Sequence, residues 1–189
     1  MATIKNPKSK IQNQKSKSFT LIELLVAVTI FSFISTISAG IFISAIRAQK
    51  KFLAIQELSD QMSFLMEYMS RTIRMAKKDD LDGVNCLSGD KVNYEITHFG
   101  QGIKFRNYKN ACQEFYLDNN QLKEKKDATI SDLTSSGLRV LNFNIALSGE
   151  TQQDLLQPKA TLFLEIECKE GIKISSQTSI SQRNPDVEK

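Results

Sequence analysis

Residues 24–46 form a run of 23 residues without a charged side chain. About 20 mostly apolar residues are enough for a helix to cross a bilayer, so this run is long enough to span. Glu23 is the only charge that interrupts the apolar block on its N-terminal side, and Arg47, Lys50 and Lys51 follow the run closely. A carboxylate at the edge of a membrane segment is costly without a partner, which makes Glu23 a candidate functional residue.

The apolar pattern continues beyond the uncharged run as one helical stripe. Its members recur every three or four residues and are Phe52, Ile55, Leu58, Met62, Leu65, Met69, Ile73 and Ala76. No proline lies between Pro7 and Pro158, so no residue of that kind breaks a helix there. We therefore expect one helix over residues 19–78, with a membrane half at 19–46 and an amphipathic half at 47–78.

The start of this helix carries the motif Ser-Phe-Thr-Leu-Ile-Glu-Leu-Leu-Val-Ala, behind a lysine-rich leader at residues 1–18. The motif resembles the N-terminal processing and methylation motif of type IV pilins and of the pseudopilins of type II secretion and competence systems. The resemblance implies that prepilin peptidase cuts between Ser18 and Phe19 and that the new amino group of Phe19 is methylated. It also implies that Glu23 matches the amine of a neighbouring subunit during filament assembly. Ser18 stands where the family usually has glycine.

An ordinary secretory signal peptide is the alternative interpretation of the same segment. Its polar region would be residues 1–18, its apolar core would start at Phe19, and the cut would fall near residues 38–40. Such cores normally run to about 7–15 residues, and this block is longer, so the membrane helix is favoured. The two interpretations predict different mature N-termini, at Phe19 or near Gly40.

The charge of the chain is concentrated in the leader. Residues 1–18 hold five lysines and no acid, so removing them converts a net charge of +4 into 20 basic against 21 acidic residues. A nearly neutral mature chain argues against a general polyanion-binding protein. Lysines before the span and a larger domain after it favour a cytoplasmic N-terminus and a domain outside the cytoplasmic membrane.

Three cysteines, Cys86, Cys112 and Cys168, fall in the part of the chain expected outside the cytoplasm, where disulfides can form. We favour Cys86 and Cys112 as a pair because both lie near the start of the domain, although sequence does not fix the connectivity. The alternative is three small buried hydrophobic residues.

Residues 79–181 show strand patterns separated by turns. The predicted strands lie at 92–98, 103–108, 112–117, 138–147, 160–168 and 172–180, with a short exposed strand at 121–126. An antiparallel sheet laid on the helix stripe would bury both apolar faces. The expected fold class is α+β and similar to the pilin fold: a long N-terminal helix packed on a C-terminal antiparallel β-sheet, with a polar tail at 182–189.

We expect neither enzymatic activity nor a cofactor. His98 is the only histidine, and at the end of a predicted strand it is better explained as structural than as part of a Ser/His/Asp or Cys/His site. The chain has no Cys-x-x-Cys, which argues against zinc. The acidic segment 79–85 lacks the acids that an EF-hand needs at positions 78 and 89, so we expect an acidic turn there.

The favoured function is a structural subunit of a type IV pilus or type II secretion-like filament. The order of the later predicted strands resembles minor pseudopilins, which implies a minor subunit. The implied partners are prepilin peptidase, other pilin or pseudopilin subunits, an inner-membrane assembly platform and the membrane itself.

Two other functions stay open. One is a single-pass, membrane-anchored binding module that does not polymerise. The other is a DNA-handling competence pseudopilin, in which aromatic side chains would stack on single-stranded DNA. The candidate stacking residues are Tyr94, Phe105, Tyr108 and Tyr116.

Overall fold

The computed structural model describes residues 19–79, 86–89, 92–149 and 156–183. The chain divides into a first unit, Met1–Ala48, and a second unit, Gln49–Lys189. One α-helix, α1 (Leu21–Arg74), contributes residues to both units. Each unit is described by itself.

The described part of the first unit is an exposed apolar helix. Every described side chain between Phe19 and Ala48 is exposed. The apolar part of α1 contains a stretch long and hydrophobic enough for a membrane, and none of that stretch is buried. By length and composition this helix can cross a membrane. An apolar surface that the protein itself does not cover is typical of a segment whose surroundings are lipid or other apolar helices.

The second unit adds eight strands to the end of α1. They are β1 (Glu95–Thr97), β2 (Gly102–Arg106), β3 (Cys112–Asp118), β4 (Gln121–Lys126), β5 (Thr129–Asp132), β6 (Leu138–Ser148), β7 (Lys159–Cys168) and β8 (Lys173–Ser181). All neighbouring strands pair antiparallel. Strands β1–β5 form one sheet in chain order, and β6–β8 form a second. The sequence predicted a single sheet; a backbone hydrogen bond from Val140 N–H to Asn120 C=O (2.8 Å) links the two.

The core lies between one face of α1 and the inner faces of both sheets. The helix contributes Leu58, Met62, Leu65, Met66, Met69 and Ile73. Alternate residues of the strands point inward, as the two-residue period of a strand requires. The largest of them are Phe105, Phe115, Phe143, Ile103, Leu122, Leu162 and Leu164. The expected α+β, pilin-like architecture, a long helix packed on antiparallel strands, is confirmed.

The helix differs from expectation at both ends of its apolar stripe. It ends at Arg74 rather than near Lys78, because Lys77 N–H donates to the Arg106 carbonyl on β2 (2.9 Å) instead of continuing the helix. The first two stripe residues, Phe52 and Ile55, remain 66% and 37% exposed. The buried stripe therefore begins at Leu58.

Two strand predictions need correction, and one strand was not predicted. The strand expected over 92–98 is reduced to Glu95–Thr97, because His98 and Phe99 adopt positive φ angles of 49° and 55° and turn the chain. Residues 121–126 do form β4, but the strand is not exposed throughout, since Leu122 and Glu124 are buried. Strand β5 was not predicted; it is short, and all four of its residues are exposed.

Candidate functional site

The first turn of α1 is closed by a reciprocal pair of polar residues. The Glu23 backbone N–H donates to Thr20 Oγ1, and the Thr20 backbone N–H donates to Glu23 Oε2, both at 3.3 Å. The Thr20 hydroxyl donates to the same carboxylate oxygen at 3.3 Å. This arrangement is a capping box, in which an N-cap threonine and the third helical residue satisfy backbone N–H groups that have no partner within the helix.

Sequence reasoning missed Thr20, although a signal for it was present. Thr-x-x-Glu at residues 20–23, directly before an apolar run, is the sequence signature of a capping box. The capping box gives Glu23 a local role within its own helix. A carboxylate in the first helical turn also interacts favourably with the positive end of the helix dipole.

The Glu23 carboxylate keeps one oxygen available to a group outside the chain. Its described hydrogen bonds all reach Oε2, and no partner within the described residues reaches Oε1. Glu23 is exposed, and Phe19 is 77% exposed immediately before the N-cap. Ser18, the other residue of the expected cleavage site, lies outside the described residues.

A second polar cluster lies at the start of the β-rich part. Cys86 and Cys112, the pair favoured from sequence, are joined by a disulfide with Cα atoms 5.5 Å apart. Asp79 accepts the backbone N–H groups of Cys86 (3.0 Å) and Leu87 (2.8 Å), and its carboxylate forms an ion pair with Arg106. The disulfide and the buried ion pair both fasten residues 86–89 to the first sheet.

Asp79, the first residue of the predicted acidic turn, is buried. The residue is 1% exposed, and its charge is balanced by Arg106. The rest of that predicted turn, residues 80–85, lies outside the described residues. In the described ranges, no group of three or more His, Cys, Asp or Glu side chains is placed to hold a metal ion.

The remaining sequence candidates occupy structural positions. The His98 ring stacks on Tyr116 at a centroid distance of 4.5 Å, and its Nε2 lies 3.4 Å from Glu114. Cys168 is a buried free thiol. Of the four aromatic residues considered for DNA stacking, Tyr94, Phe105 and Tyr116 are buried and Tyr108 is 54% exposed.

A polar network joins α1 to the first sheet. Glu124 is 5% exposed and accepts hydrogen bonds from the Tyr68 hydroxyl (2.7 Å) and the Gln113 amide (2.6 Å). Lys126 Nζ lies 3.0 Å from the Glu124 carboxylate and donates to the Tyr68 oxygen at 2.7 Å. Burial raises the pKa of Tyr68, and the Glu124 carboxylate adds to this against the opposing effect of Lys126. Burial lowers the pKa of Lys126, but its hydrogen bonds to Tyr68 and Glu124 outweigh this effect, so the pKa is raised.

Comparison with protein-family models matches residues 13–39 to the prokaryotic N-terminal methylation motif. The matched segment includes Ser18, Phe19, Thr20 and Glu23, and it extends into the exposed apolar part of α1. No curated protein and no solved structure matches the chain.

Proposed function

We propose that this chain is a prepilin of the type IV pilin or pseudopilin kind and a structural subunit of a type IV pilus or type II secretion-like filament; the match of residues 13–39 to the N-terminal methylation motif supports this. The motif supports processing by prepilin peptidase, and the exposed apolar helix supports membrane anchoring. The observation that carries the proposal is a carboxylate, Glu23, at the head of an uncovered apolar helix, inside the matched segment.

Processing supplies the cation that this carboxylate lacks. The precursor lies in the cytoplasmic membrane with residues 1–18 in the cytoplasm and the second unit outside. Prepilin peptidase hydrolyses the Ser18–Phe19 bond, and the new amino group of Phe19 is methylated and keeps its positive charge. A charged amine and a carboxylate at the edge of a bilayer both need a group of opposite charge. Pairing the two satisfies both requirements.

The capping box explains how one carboxylate serves two purposes. Glu23 Oε2 stays with Thr20 of its own chain, which keeps the first helical turn closed. Glu23 Oε1 receives the Phe19 amine of a neighbouring subunit. This pairing fixes the axial displacement between two helices, whose exposed apolar faces then pack against each other. The subunit can leave the bilayer through the inner-membrane assembly platform without exposing that surface to water.

We assign the chain to the minor subunits of such a filament. The support is the arrangement of its later strands, in which a long apolar strand, β6, is followed by the closing hairpin β7–β8. A minor subunit is expected at a small fraction of the main subunit in sheared filaments, as measured by quantitative mass spectrometry. Equal amounts of the two would contradict the assignment.

The assembly role is tested by comparing Glu23→Gln with Thr20→Ala. Glutamine still completes a capping box but carries no charge. Loss of one partner from a buried ion pair costs about 3–5 kcal/mol, so recovery of Glu23→Gln in sheared filaments should fall more than about a hundredfold while its amount in the membrane stays at the parental level. Thr20→Ala loses only an N-cap, which costs about 1 kcal/mol, and should reduce recovery much less.

Two results would contradict this model. Equal recovery of Glu23→Gln and the parent would show that the charge is not needed. A loss in Thr20→Ala as large as that in Glu23→Gln would show that an intact first helical turn matters as much as the charge, which the model does not allow.

A further inference from the structure

The turn between β1 and β2 presents the side chain of Phe99 to solvent. This side chain is fully exposed, and the Phe99 backbone has φ of 55° and ψ of 37°, in the left-handed region. The preceding residue, His98, also has a positive φ of 49°. A bulky residue rarely adopts this conformation, because its Cβ comes too close to the following carbonyl oxygen. Phe99 therefore has two local costs, a strained backbone and an uncovered apolar ring.

The Phe99 ring gives the second unit nothing in return. Because it is fully exposed, it adds no apolar burial to the described core. Asparagine tolerates the left-handed conformation better than phenylalanine does, so Phe99→Asn should leave the fold at least as stable. A strained residue that the fold does not need is typical of a position with a role outside the fold.

The base of this turn is held firmly on the first sheet. The His98 ring stacks on the Tyr116 ring with an interplanar angle of 9°, and His98 Nε2 lies beside the Glu114 carboxylate. The Gln101 backbone N–H donates to the His98 carbonyl at 3.1 Å. The Leu117 backbone N–H donates to the Gln101 carbonyl at 3.0 Å. These contacts fix the direction in which the exposed ring projects.

Gly102 allows the base of the turn to pack this closely. A Cβ at Gly102 would collide with the Thr97 side chain, and it would lie 3.0 Å from the His98 ring and 3.1 Å from Tyr116 Cβ. The turn therefore has little room to rearrange. A side chain that is already held in one geometry loses less entropy when it binds.

We propose that Phe99 is an anchor that inserts into an apolar pocket on a protein other than this chain. Aromatic residues are enriched at protein interfaces, and full burial of one phenylalanine changes affinity by about ten- to a hundredfold. The rigid base of the turn favours a protein partner, because a shaped pocket requires a fixed side-chain direction and a fluid lipid surface does not. The contact goes beyond the proposed function, since it uses the second unit and not the apolar helix.

A membrane surface fits this turn less well. One myristoyl chain gives only marginal membrane binding, and one phenylalanine ring has fewer apolar carbons than that chain. The described turn residues 98–101 carry one ionisable side chain, His98, which lies 3.4 Å from Glu114. The turn therefore has no cluster of cations that would attract an anionic lipid surface.

A second copy of this chain also fits less well. The chain has an open cleft of about 170 Å³ that is lined by the rings of Phe64 and Tyr68. The same cleft is lined by Glu67 and Arg71, which form an exposed ion pair. A Phe99 ring seated there would remove water from both charges, which is costly.

Photo-cross-linking of the full-length chain in its native cells identifies what the ring contacts. The photoreactive analogue p-benzoylphenylalanine replaces Phe99 in one strain and Tyr108 in a control strain. Tyr108 is the matched control because it is an aromatic residue, 54% exposed, on the turn between β2 and β3. We expect a discrete adduct with a different protein from position 99, at a yield roughly tenfold or more above that from position 108.

Substitution then tests whether the ring provides the affinity. The cross-linked protein is quantified by mass spectrometry after mild solubilisation and affinity purification of the full-length chain. Its recovery should fall roughly tenfold or more in Phe99→Asn and stay unchanged in Tyr108→Asn. The denaturant midpoint of Phe99→Asn should equal or exceed that of the parent, because backbone strain is relieved and no core contact is lost.

An adduct only with lipid, only with a second copy, or with no molecule at all overturns the inference. Parental recovery of the partner in Phe99→Asn also overturns it, and so does an equal loss in Tyr108→Asn. A lower midpoint for Phe99→Asn would show that the ring packs within the fold, which is a further contradiction. Failure of the proposed function is seen separately, as a chain that keeps its leader whether or not Phe99 is changed.

Discussion

At the scale of single residues, the buried charges of the second unit are each held by a specific partner. Glu124 lies at 5% exposure between Tyr68, Gln113 and Lys126, and Asp79 lies at 1% exposure beside Arg106. A buried carboxylate without such partners would destabilise the fold strongly. These residues therefore contribute to the stability of the fold.

The Tyr68–Glu124–Lys126 network predicts how stability depends on alkaline pH. The pKa values of Tyr68 and Lys126 are both raised in the folded state. In the folded state, each group holds its proton more tightly than in the unfolded state. The stabilisation that it provides is therefore complete below the unfolded-state pKa, at about pH 10, and is lost as pH rises through the raised folded-state pKa. The free energy of unfolding of the full chain in detergent should therefore fall above about pH 10.

Tyr68→Phe removes one of the two titrating groups and should make this fall less steep. The measurement is chemical denaturation across a pH series. Tyr108→Phe is the matched control, because Tyr108 is 54% exposed and has no described hydrogen bond. Identical slopes for Tyr68→Phe and the parent would contradict the role assigned to the network.

Some of these residues could be recognised from the sequence, and others could not. Ser18, Phe19 and Glu23 were proposed as site residues from a short local motif, and Thr20 could have been recognised as an N-cap from the same segment. The burial of Asp79 and Glu124 could not be predicted, because their partners Arg106 and Tyr68 are distant in sequence and are brought together only by the fold. An acidic residue in an acidic or lysine-rich segment is otherwise expected to be exposed.

At the scale of elements, α1 presents leucines in opposite environments along one helix. Leu65 is fully buried in the core, whereas Leu53 is 61% exposed. Leu65→Ala should lower the free energy of unfolding by about 2–5 kcal/mol, because it leaves a cavity between the helix and the sheets. Leu53→Ala should change it by less than about 0.5 kcal/mol. Denaturant titration of the two variants checks this, and similar losses in both would contradict the assigned packing.

The sequence predicted the hairpins whose turn residues are recognisable in the local sequence. The hairpin of β3 and β4 turns at Asn119 and Asn120, whose φ angles of 50° and 61° are the positive values that asparagine tolerates in such turns. The β7–β8 hairpin similarly turns at Gly171, with φ of 74°. In contrast, strand β5 and the division into two sheets depend on pairing between strands, which the pattern of one strand does not encode.

At the scale of the whole molecule, the described part of the first unit presents an apolar surface that the protein itself does not cover. The described residues before Gln49 are exposed throughout and mostly apolar, whereas the second unit has its own core. Removal of residues 1–18 takes away five lysines and leaves the chain nearly neutral. A nearly neutral chain with an exposed apolar helix is consistent with a subunit whose helix moves from lipid to contacts with neighbouring helices. It is less consistent with a polyanion-binding protein.

The most direct test of this account is intact-mass and N-terminal peptide mass spectrometry of the protein purified from native membranes. The account predicts a chain that begins at Phe19 and carries one added methyl group on its amino terminus. A chain that begins at Met1 would contradict it and would favour the membrane-anchored module that does not polymerise. A chain that begins near Gly40 would contradict it as well, and would show that the apolar segment is a secretory signal.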